Sequence, residues 1–126
     1  MRPISKEEAY ACMNVCREFG LKEVECQKIK KIGDKVSHDR FHFEHIEDLG
    51  TSFKYTLYVD IQHLILDKYV ICVEYAIRSP WSSEEKSFKC VSYKFEPKSA
   101  QSLKELLSNT SIKENAFNMF TLINAF

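Results

Sequence analysis

Glycine and proline are scarce in this chain, with three of each among 126 residues. Disordered and low-complexity segments are usually rich in such residues and poor in apolar ones, whereas 44% of this sequence is hydrophobic and no segment repeats. The composition therefore predicts a folded chain. Because the length is close to the usual size of one domain, we expect residues 1–126 to form a single domain with its own core.

An excess of either charge is also missing, because 18 Lys and Arg residues balance 18 Asp and Glu residues. Nucleic-acid binding normally requires a basic surface, so this balance argues against a nucleic-acid partner. The one basic, aromatic segment that offers such chemistry is small and comprises Lys28, Lys30, Lys31, Lys35, Arg40 and Phe41.

No stretch approaches the ~18 consecutive apolar residues of a membrane-spanning helix. Residues 1–8 also lack the apolar core of a signal peptide. These two absences predict a protein inside the cell that has no membrane partner.

The five cysteines do not form a recognisable disulfide or metal-binding pattern. Their number is odd, and they are spread over helical and strand patterns, as Cys12, Cys16, Cys26, Cys72 and Cys90. This distribution is typical of reduced, buried thiols in a reducing compartment, the cytoplasm or nucleus. Cys12 and Cys16 lie one helical turn apart, but a structural zinc site needs four ligands and no second pair has suitable spacing. We therefore predict no metal site and no cofactor.

The strongest pattern lies between Phe53 and Phe95, where apolar and polar residues alternate as in half-buried strands. It predicts strands at 53–66, 69–78 and 87–95, with a tight turn at Asp67-Lys68. The apolar parity changes after Ile61, so we expect a β-bulge near Gln62-His63. Such a bulge would place one core face on Leu57, Val59, Ile61, Leu64, Leu66, Ile71, Val73, Tyr75 and Ile77.

Residues 21–46 fit two interpretations. Leu21, Val24 and Ile32 would share one side of a helix rich in Lys and Glu. Gly33-Asp34 instead suits a two-residue type II′ hairpin turn. We prefer the hairpin, with strands at 23–32 and 35–46. It sets Val24 opposite Phe43, Cys26 opposite Phe41 and Lys28 opposite Asp39.

Three helices are predicted outside the strands. The first, at 5–19, begins with the capping box Ser5–Glu8, ends at Gly20 and carries an apolar stripe of Ala9, Cys12, Met13, Cys16 and Phe19. The second, at 98–108, follows Pro97 as a tolerated first helical residue and ends at Asn109. The third, at 112–125, begins with the capping box Ser111–Glu114.

Together these elements predict an α+β fold: a five-stranded, mostly antiparallel meander sheet with one N-terminal and two C-terminal helices packed on one face. Interaction modules of multiprotein assemblies and bowl-shaped ligand binders both use comparable layouts. The layout therefore assigns no function by itself.

The side chains most capable of chemistry cluster on the strand at 35–46. His38, Arg40, His42 and Glu44 project to one face of that strand, and Phe41, Phe43 and His45 project to the other. His38, Arg40 and His42 form a candidate polar surface that could bind phosphate, transfer a proton or hold a metal. No nucleophile motif, glycine-rich phosphate loop or pair of carboxylates accompanies them, so we assign no catalytic residue and expect a solvated face.

The final helix is apolar around most of its circumference, through Ala116, Phe117, Met119, Phe120, Leu122, Ile123 and Phe126. Either the sheet and helices of this chain enclose it fully, or another polypeptide covers part of it. We predict partner contacts at Met119, Leu122 and Phe126. Trp81, in a polar loop, either folds onto the sheet edge or serves as a further partner-binding anchor.

These features predict a non-catalytic protein-interaction domain, an adaptor or scaffold that belongs to a larger complex or forms a homodimer. The alternative is a small-ligand-binding or enzymatic α+β fold. In that case the sheet would enclose a pocket lined by the histidines and by Tyr58 or Tyr75.

Overall fold

The computed structural model describes residues 3–24, 40–48, 54–78 and 90–123. Within these residues the chain forms three helices and six strands, which confirms the α+β class. In chain order they are β1 (Ile4–Ser5), α1 (Lys6–Glu18), β2 (Lys22–Val24), β3 (Arg40–Asp48), β4 (Lys54–Ile65), β5 (Lys68–Arg78), β6 (Cys90–Phe95), α2 (Ala100–Ser108) and α3 (Thr110–Ile123).

The strands form one antiparallel sheet in which β2, β3, β4, β5 and β6 are neighbours in chain order, as the meander prediction requires. The short strand β1 was not predicted, because two residues are too few to show a period. It pairs with the start of β5, where Ile4 lies opposite Tyr69. Strand β6 pairs with the later part of β5, from Val73 to Arg78. Both β1 and β6 therefore lie on the side of β5 away from β4.

The core lies between one face of the sheet and the helices. The seven predicted core residues of β4 and β5 other than Leu64 and Leu66 are confirmed as buried: Leu57, Val59, Ile61, Ile71, Val73, Tyr75 and Ile77. Phe43 of β3 and Val91 of β6 continue this face. The helices add Ala9, Cys12, Met13, Val15, Cys16, Leu103, Ala116 and Phe120.

The tip of the β4–β5 hairpin differs from the prediction. A bulge is present, but the register shifts between His63 and Ile65, so Leu64 is the extra residue. The turn is formed by Leu66-Asp67 instead of Asp67-Lys68.

The prediction that Leu64 and Leu66 belong to the core was wrong, because these side chains are 42% and 81% exposed. Tyr69 is buried and its ring contacts Tyr10 of α1. The hairpin extends beyond this contact, so its tip loses the helical cover.

The register of β2 against β3 also differs by one residue from the prediction. Val24 lies opposite His42, and Glu23 takes the place opposite Phe43. In this register Glu23 accepts from Arg17 of α1 at 3.3 Å, and the Arg17 guanidinium covers the Phe43 ring. The predicted pairs Cys26–Phe41 and Lys28–Asp39 and the Gly33-Asp34 turn lie outside the described residues.

Helix α1 lies between Ser5 and Gly20 as predicted, one residue shorter at each end than the predicted 5–19, and its capping box is only half formed. Ser5 accepts a hydrogen bond from the Glu8 amide at 3.1 Å, and Gly20 has the positive φ of 77° that favours glycine after a helix. The Glu8 carboxylate does not return to its own helix. It accepts from the amide of Ala100, the first residue of α2, at 2.7 Å.

The apolar stripe of α1 differs from the prediction at one residue. Phe19 is 40% exposed because the helix ends at Glu18, and Val15 is buried instead.

The caps of the C-terminal helices also differ from the prediction. Ser99, not Pro97, precedes the first residue of α2, and it forms a reciprocal capping box with Ser102. Asn109 ends α2 as predicted. Its side-chain oxygen also accepts from the Ser111 amide at 3.0 Å, so α3 begins at Thr110 and Ser111 does not start the helix as its cap.

Candidate functional site

The face of the sheet away from the helices carries a polar cluster centred on Asp60. Antiparallel pairing places Asp60 of β4 directly between His42 of β3 and Cys72 of β5. Arg40 donates to both carboxylate oxygens of Asp60, at 2.9 and 3.1 Å, and His42 Nδ1 lies 3.6 Å from the same carboxylate. We call Arg40, His42, Asp60 and Cys72 the polar-face cluster.

Two of the three predicted polar-surface residues thus meet, and His38 lies outside the described residues. Asp60 was overlooked in the sequence. It is the polar member of an alternating strand, and nothing within its own strand shows that Arg40 and His42 will lie beside it.

The electrostatics of the polar-face cluster favour charge neutralisation over reactivity. The hydrogen bond that Arg40 donates to Asp60 raises the pKa of Arg40, so the guanidinium is held in an ion pair and is less available to an anionic ligand. Burial raises the pKa of the Cys72 thiol, whereas a nucleophilic cysteine needs a lowered pKa. The described residues therefore place no activated nucleophile beside His42.

The two tyrosines considered for a ligand pocket lie on opposite faces of the sheet. The Tyr58 ring lies 5.1 Å from the His42 ring on the polar face. Tyr75 lies on the helix face, where its hydroxyl donates to the carbonyl of Leu106 at 3.3 Å. Burial raises the pKa of Tyr75 to about 12. A pocket at His42 could thus include Tyr58 but not Tyr75.

A second charged cluster, which the sequence did not suggest, joins α3 to the sheet. Lys113 donates to both carboxylate oxygens of Glu47, at 2.8 and 2.9 Å, and its ammonium lies 4.8 Å from the centre of the Tyr55 ring. His45 lies 3.5 Å from the same carboxylate. The hydrogen bond from Lys113 lowers the pKa of Glu47. Lys113 therefore fixes which side of α3 faces β3 and β4.

The large exposed apolar residues of α3 divide between two sides of the helix. Phe117, 47% exposed, lies one turn after Lys113 and shares its side, which we call the inner side. Leu122 follows Lys113 by nine residues, about two and a half turns, and therefore lies on the opposite, outer side of the helix. Met119, three residues before Leu122, adjoins it. Met119 is 44% and Leu122 55% exposed.

The outer side of α3 lies toward one edge of the sheet. The helix contacts β5 and β6, while its inner side faces β3 and β4. Strand β6 pairs with β5 along one edge, and no strand among the described residues pairs with its other edge. Met119, Leu122 and the outer edge of β6 (Cys90–Phe95) therefore adjoin, and we call them the α3–β6 surface. Two other predicted partner residues, Trp81 and Phe126, lie outside the described part of the chain.

Three grooves are lined by described residues, and His42 and Asp60 line none of them. A groove of about 620 Å³ follows α3, lined by Thr110, Lys113, Glu114, Phe117 and Asn118. A groove of about 420 Å³ lies beside β1 and the hairpin turn, lined by Pro3, Ile4, Ser5, Asp67 and Lys68. A groove of about 310 Å³ lies between α1 and β3, lined by Tyr10, Met13, Asn14, Arg17 and Phe41.

Cys12, Cys16 and Cys72 are free thiols, and Cys12 and Cys16 lie in the core. Burial raises the pKa of each of these two thiols to about 12. Within the described ranges, no three His, Cys, Asp or Glu side chains come together in an arrangement that could hold a metal ion. In the same ranges, no helix has the length and apolar character needed to cross a membrane.

Comparison with protein-family models, with curated protein sequences and with solved structures finds no match to this chain. The arguments for function therefore rest on the arrangement of its own residues.

Proposed function

We propose that this chain is a non-catalytic protein-interaction domain that binds another polypeptide through the α3–β6 surface. The observation that supports the proposal is the position of Met119 and Leu122. Both are large apolar side chains about half exposed to solvent, on the side of α3 that adjoins an edge strand.

The two parts of this surface favour the same kind of ligand. Covering apolar area stabilises a complex by about 25 cal/mol per Å². An edge strand offers unpaired backbone N–H and C=O groups, which a strand of another chain can satisfy. A polypeptide that adds a strand to β6 would also reach Met119 and Leu122. A small molecule could cover the apolar side chains, but it would not pair with the backbone groups along the edge of β6.

The polar-face cluster supports the non-catalytic assignment. Its arginine is neutralised by Asp60, and the pKa of its thiol is raised by burial. The predicted alternative, ligand binding or catalysis at a His and Tyr site, would require the Tyr58 and His42 pair. On our proposal His42→Ala leaves partner binding unchanged. A catalytic activity or small-ligand affinity that is lost in a folded His42→Ala protein would favour the alternative.

The remaining assignments follow from the same proposal. Trp81 and Phe126 are further candidate contacts, and the partner is a protein rather than a nucleic acid or a membrane. The free thiols Cys12, Cys16 and Cys72 support placement in a reducing compartment, the cytoplasm or nucleus.

The experiment compares Met119→Glu/Leu122→Glu with Phe117→Glu, which introduces a single glutamate at a similarly exposed position on the inner side of α3. Each immobilised protein captures partners from its native source, and circular dichroism checks the fold. We expect wild type and Phe117→Glu to retain the same partner in stoichiometric amount, which is either a different protein or a tagged copy of this chain added to the sample. The double variant should lose that partner, because unpaired charges are costly in a desolvated interface. Equal capture by all three proteins would contradict the proposal.

A further inference from the structure

We propose that the polypeptide bound at the α3–β6 surface is a second copy of this chain, paired β6 to β6 in antiparallel orientation about a two-fold axis. The inference rests on the proposed function and specifies its partner. Edge strands that remain uncovered are a hazard of aggregation, and a closed two-fold pair removes one such edge from each copy.

The placement of α3 fits this arrangement. An antiparallel pair of identical strands has its two-fold axis perpendicular to the sheet, so both helical layers lie on the same face. Helix α3 contacts β5 and β6, and neighbouring strands lie about 4.8 Å apart. The two-fold axis lies midway between the two copies of β6, so a helix above the line midway between β5 and β6 is one strand spacing, about 5 Å, from the axis. The two copies of α3 then lie about 10 Å apart. Packed helices are separated by about 8–10 Å.

The outer side of α3 has the composition that a two-fold contact needs. An isologous interface brings the same patch of both copies together, so a charge near the axis would face its own copy. From Ser111 to Leu122 the charged residues of α3 are Lys113 and Glu114. Lys113 is already paired with Glu47, and Glu114 lines the same groove as Lys113 and Phe117. Met119 and Leu122 would meet their symmetry mates without an ionic clash.

Among registers centred on Ser92, Tyr93 or Lys94, the residues of β6 favour Tyr93. With Tyr93 on the axis, Lys94 lies opposite Ser92 and Val91 lies opposite Phe95, which keeps apolar residues together on the helix face. Placing Lys94 on the axis would set two like charges directly opposite each other, which destabilises strand pairing. Placing Ser92 on the axis would leave Phe95 without an opposite residue of β6.

The register can be tested by disulfide formation between variants that each carry one introduced cysteine. Ser92→Cys and Lys94→Cys are made separately in a background carrying Cys26→Ser, Cys72→Ser and Cys90→Ser, so that the other remaining cysteines are the buried Cys12 and Cys16. Directly opposite residues have Cα atoms about 4.5–5.5 Å apart, within the range of a disulfide. The two copies of residue 92, like the two copies of residue 94, are displaced from each other by two positions along the strand. Their Cα atoms are about 8 Å apart, which is beyond the range of a disulfide.

We expect a covalent dimer when the two reduced variants are mixed and then oxidised, and none from either variant alone. Cross-linking of either variant by itself, or no cross-link in the mixture, would overturn the proposed pairing. Circular dichroism confirms that both variants fold.

Sedimentation of the purified wild-type chain gives the second measurement. We expect twice the monomer mass for wild type and Phe117→Glu and the monomer mass for Met119→Glu/Leu122→Glu. A wild type that stays monomeric at every concentration would overturn this inference. If that monomer still captures a stoichiometric partner that the double variant loses, the proposed function stands with a different occupant.

Discussion

Leu66 has an unfavourable backbone conformation and an unfavourable environment. Its φ of 55° makes it the one non-glycine residue with a positive φ in the described part of the chain, and its side chain is 81% exposed. An L-residue in this region costs about 1–2 kcal/mol, which burial does not offset here. The hairpin tip therefore carries a local cost in stability.

Replacing Leu66 with Asn should remove most of that cost, because Asn tolerates a positive φ. We expect the free energy of unfolding to rise by about 0.5–1 kcal/mol, measured by urea denaturation. Ile65→Asn is the control, since the neighbouring Ile65 is also exposed and has no positive φ. An equal gain in both variants would attribute the effect to reduced surface hydrophobicity instead of backbone strain.

At the scale of elements, the contact between α1 and α2 includes a hydrogen bond from the backbone of α2 to a side chain of α1. The Glu8 carboxylate lies at the N-terminus of α2 and accepts from the Ala100 amide at 2.7 Å. A negative charge is favourable there, because the first amides of a helix have no partners within it. Glu8 therefore links two helices through residues that are 92 positions apart in the chain.

A double-mutant cycle can measure this link. Glu8→Ala removes the acceptor, and Ala100→Pro removes the donor at a first helical position, where proline is tolerated after the extended Ser99. We expect Glu8→Ala alone to destabilise the protein by about 1–2 kcal/mol. In the Ala100→Pro background the same change should cost clearly less, by at least about 0.5 kcal/mol. Additive effects would show that Glu8 acts elsewhere.

At the scale of the whole molecule, the core contains several acids that are harder to ionise than usual. Burial raises the pKa of Cys12 and Cys16 from 9.0 to about 12, and that of Tyr75 from 10.0 to about 12. Burial also raises the pKa of Tyr55. These groups belong to both layers of the fold, α1 and the sheet, so ionising them opposes the packing of one layer on the other.

Stability should therefore fall as the pH rises from about 9 to about 12. The unfolded thiols lose protons from pH 9 upward while the folded thiols keep them, so the unfolded state binds fewer protons and gains relative stability. Urea midpoints across this range measure the decline. Cys12→Ala/Cys16→Ala should reduce its slope, even though the variant is less stable at pH 7. An unchanged slope would exclude the two thiols as its source.

The sequence predicts this architecture where the signal is local. Alternation within β4 and β5 places Leu57 and Val73 correctly in the core, and Gly20 marks the end of α1. The exposure of Leu64 was not predictable in this way, because a strand pattern does not show how far the helical layer extends. The β2 register brings Glu23 to Arg17 of α1, a contact that no pattern within the strand itself shows.

The candidate sites depend still more on distant pairings. Asp60 meets Arg40 across 20 positions of the chain, and Lys113 meets Glu47 across 66. Neither contact leaves a periodic signal in the sequence. The apolar excess of the last helix was visible, but its division into inner and outer sides follows from the position of Lys113.

The long-range contacts of the N-terminal segment have a consequence for the order of events during synthesis. Strand β1 and helix α1 leave the ribosome first, yet Ile4 pairs with Tyr69 and Glu8 binds Ala100. The apolar stripe of α1 therefore lacks its partners until most of the domain has been translated. Because chain entropy must be lost before such distant contacts contribute stability, we expect this domain to fold only after most of it has been translated, and slowly for its size.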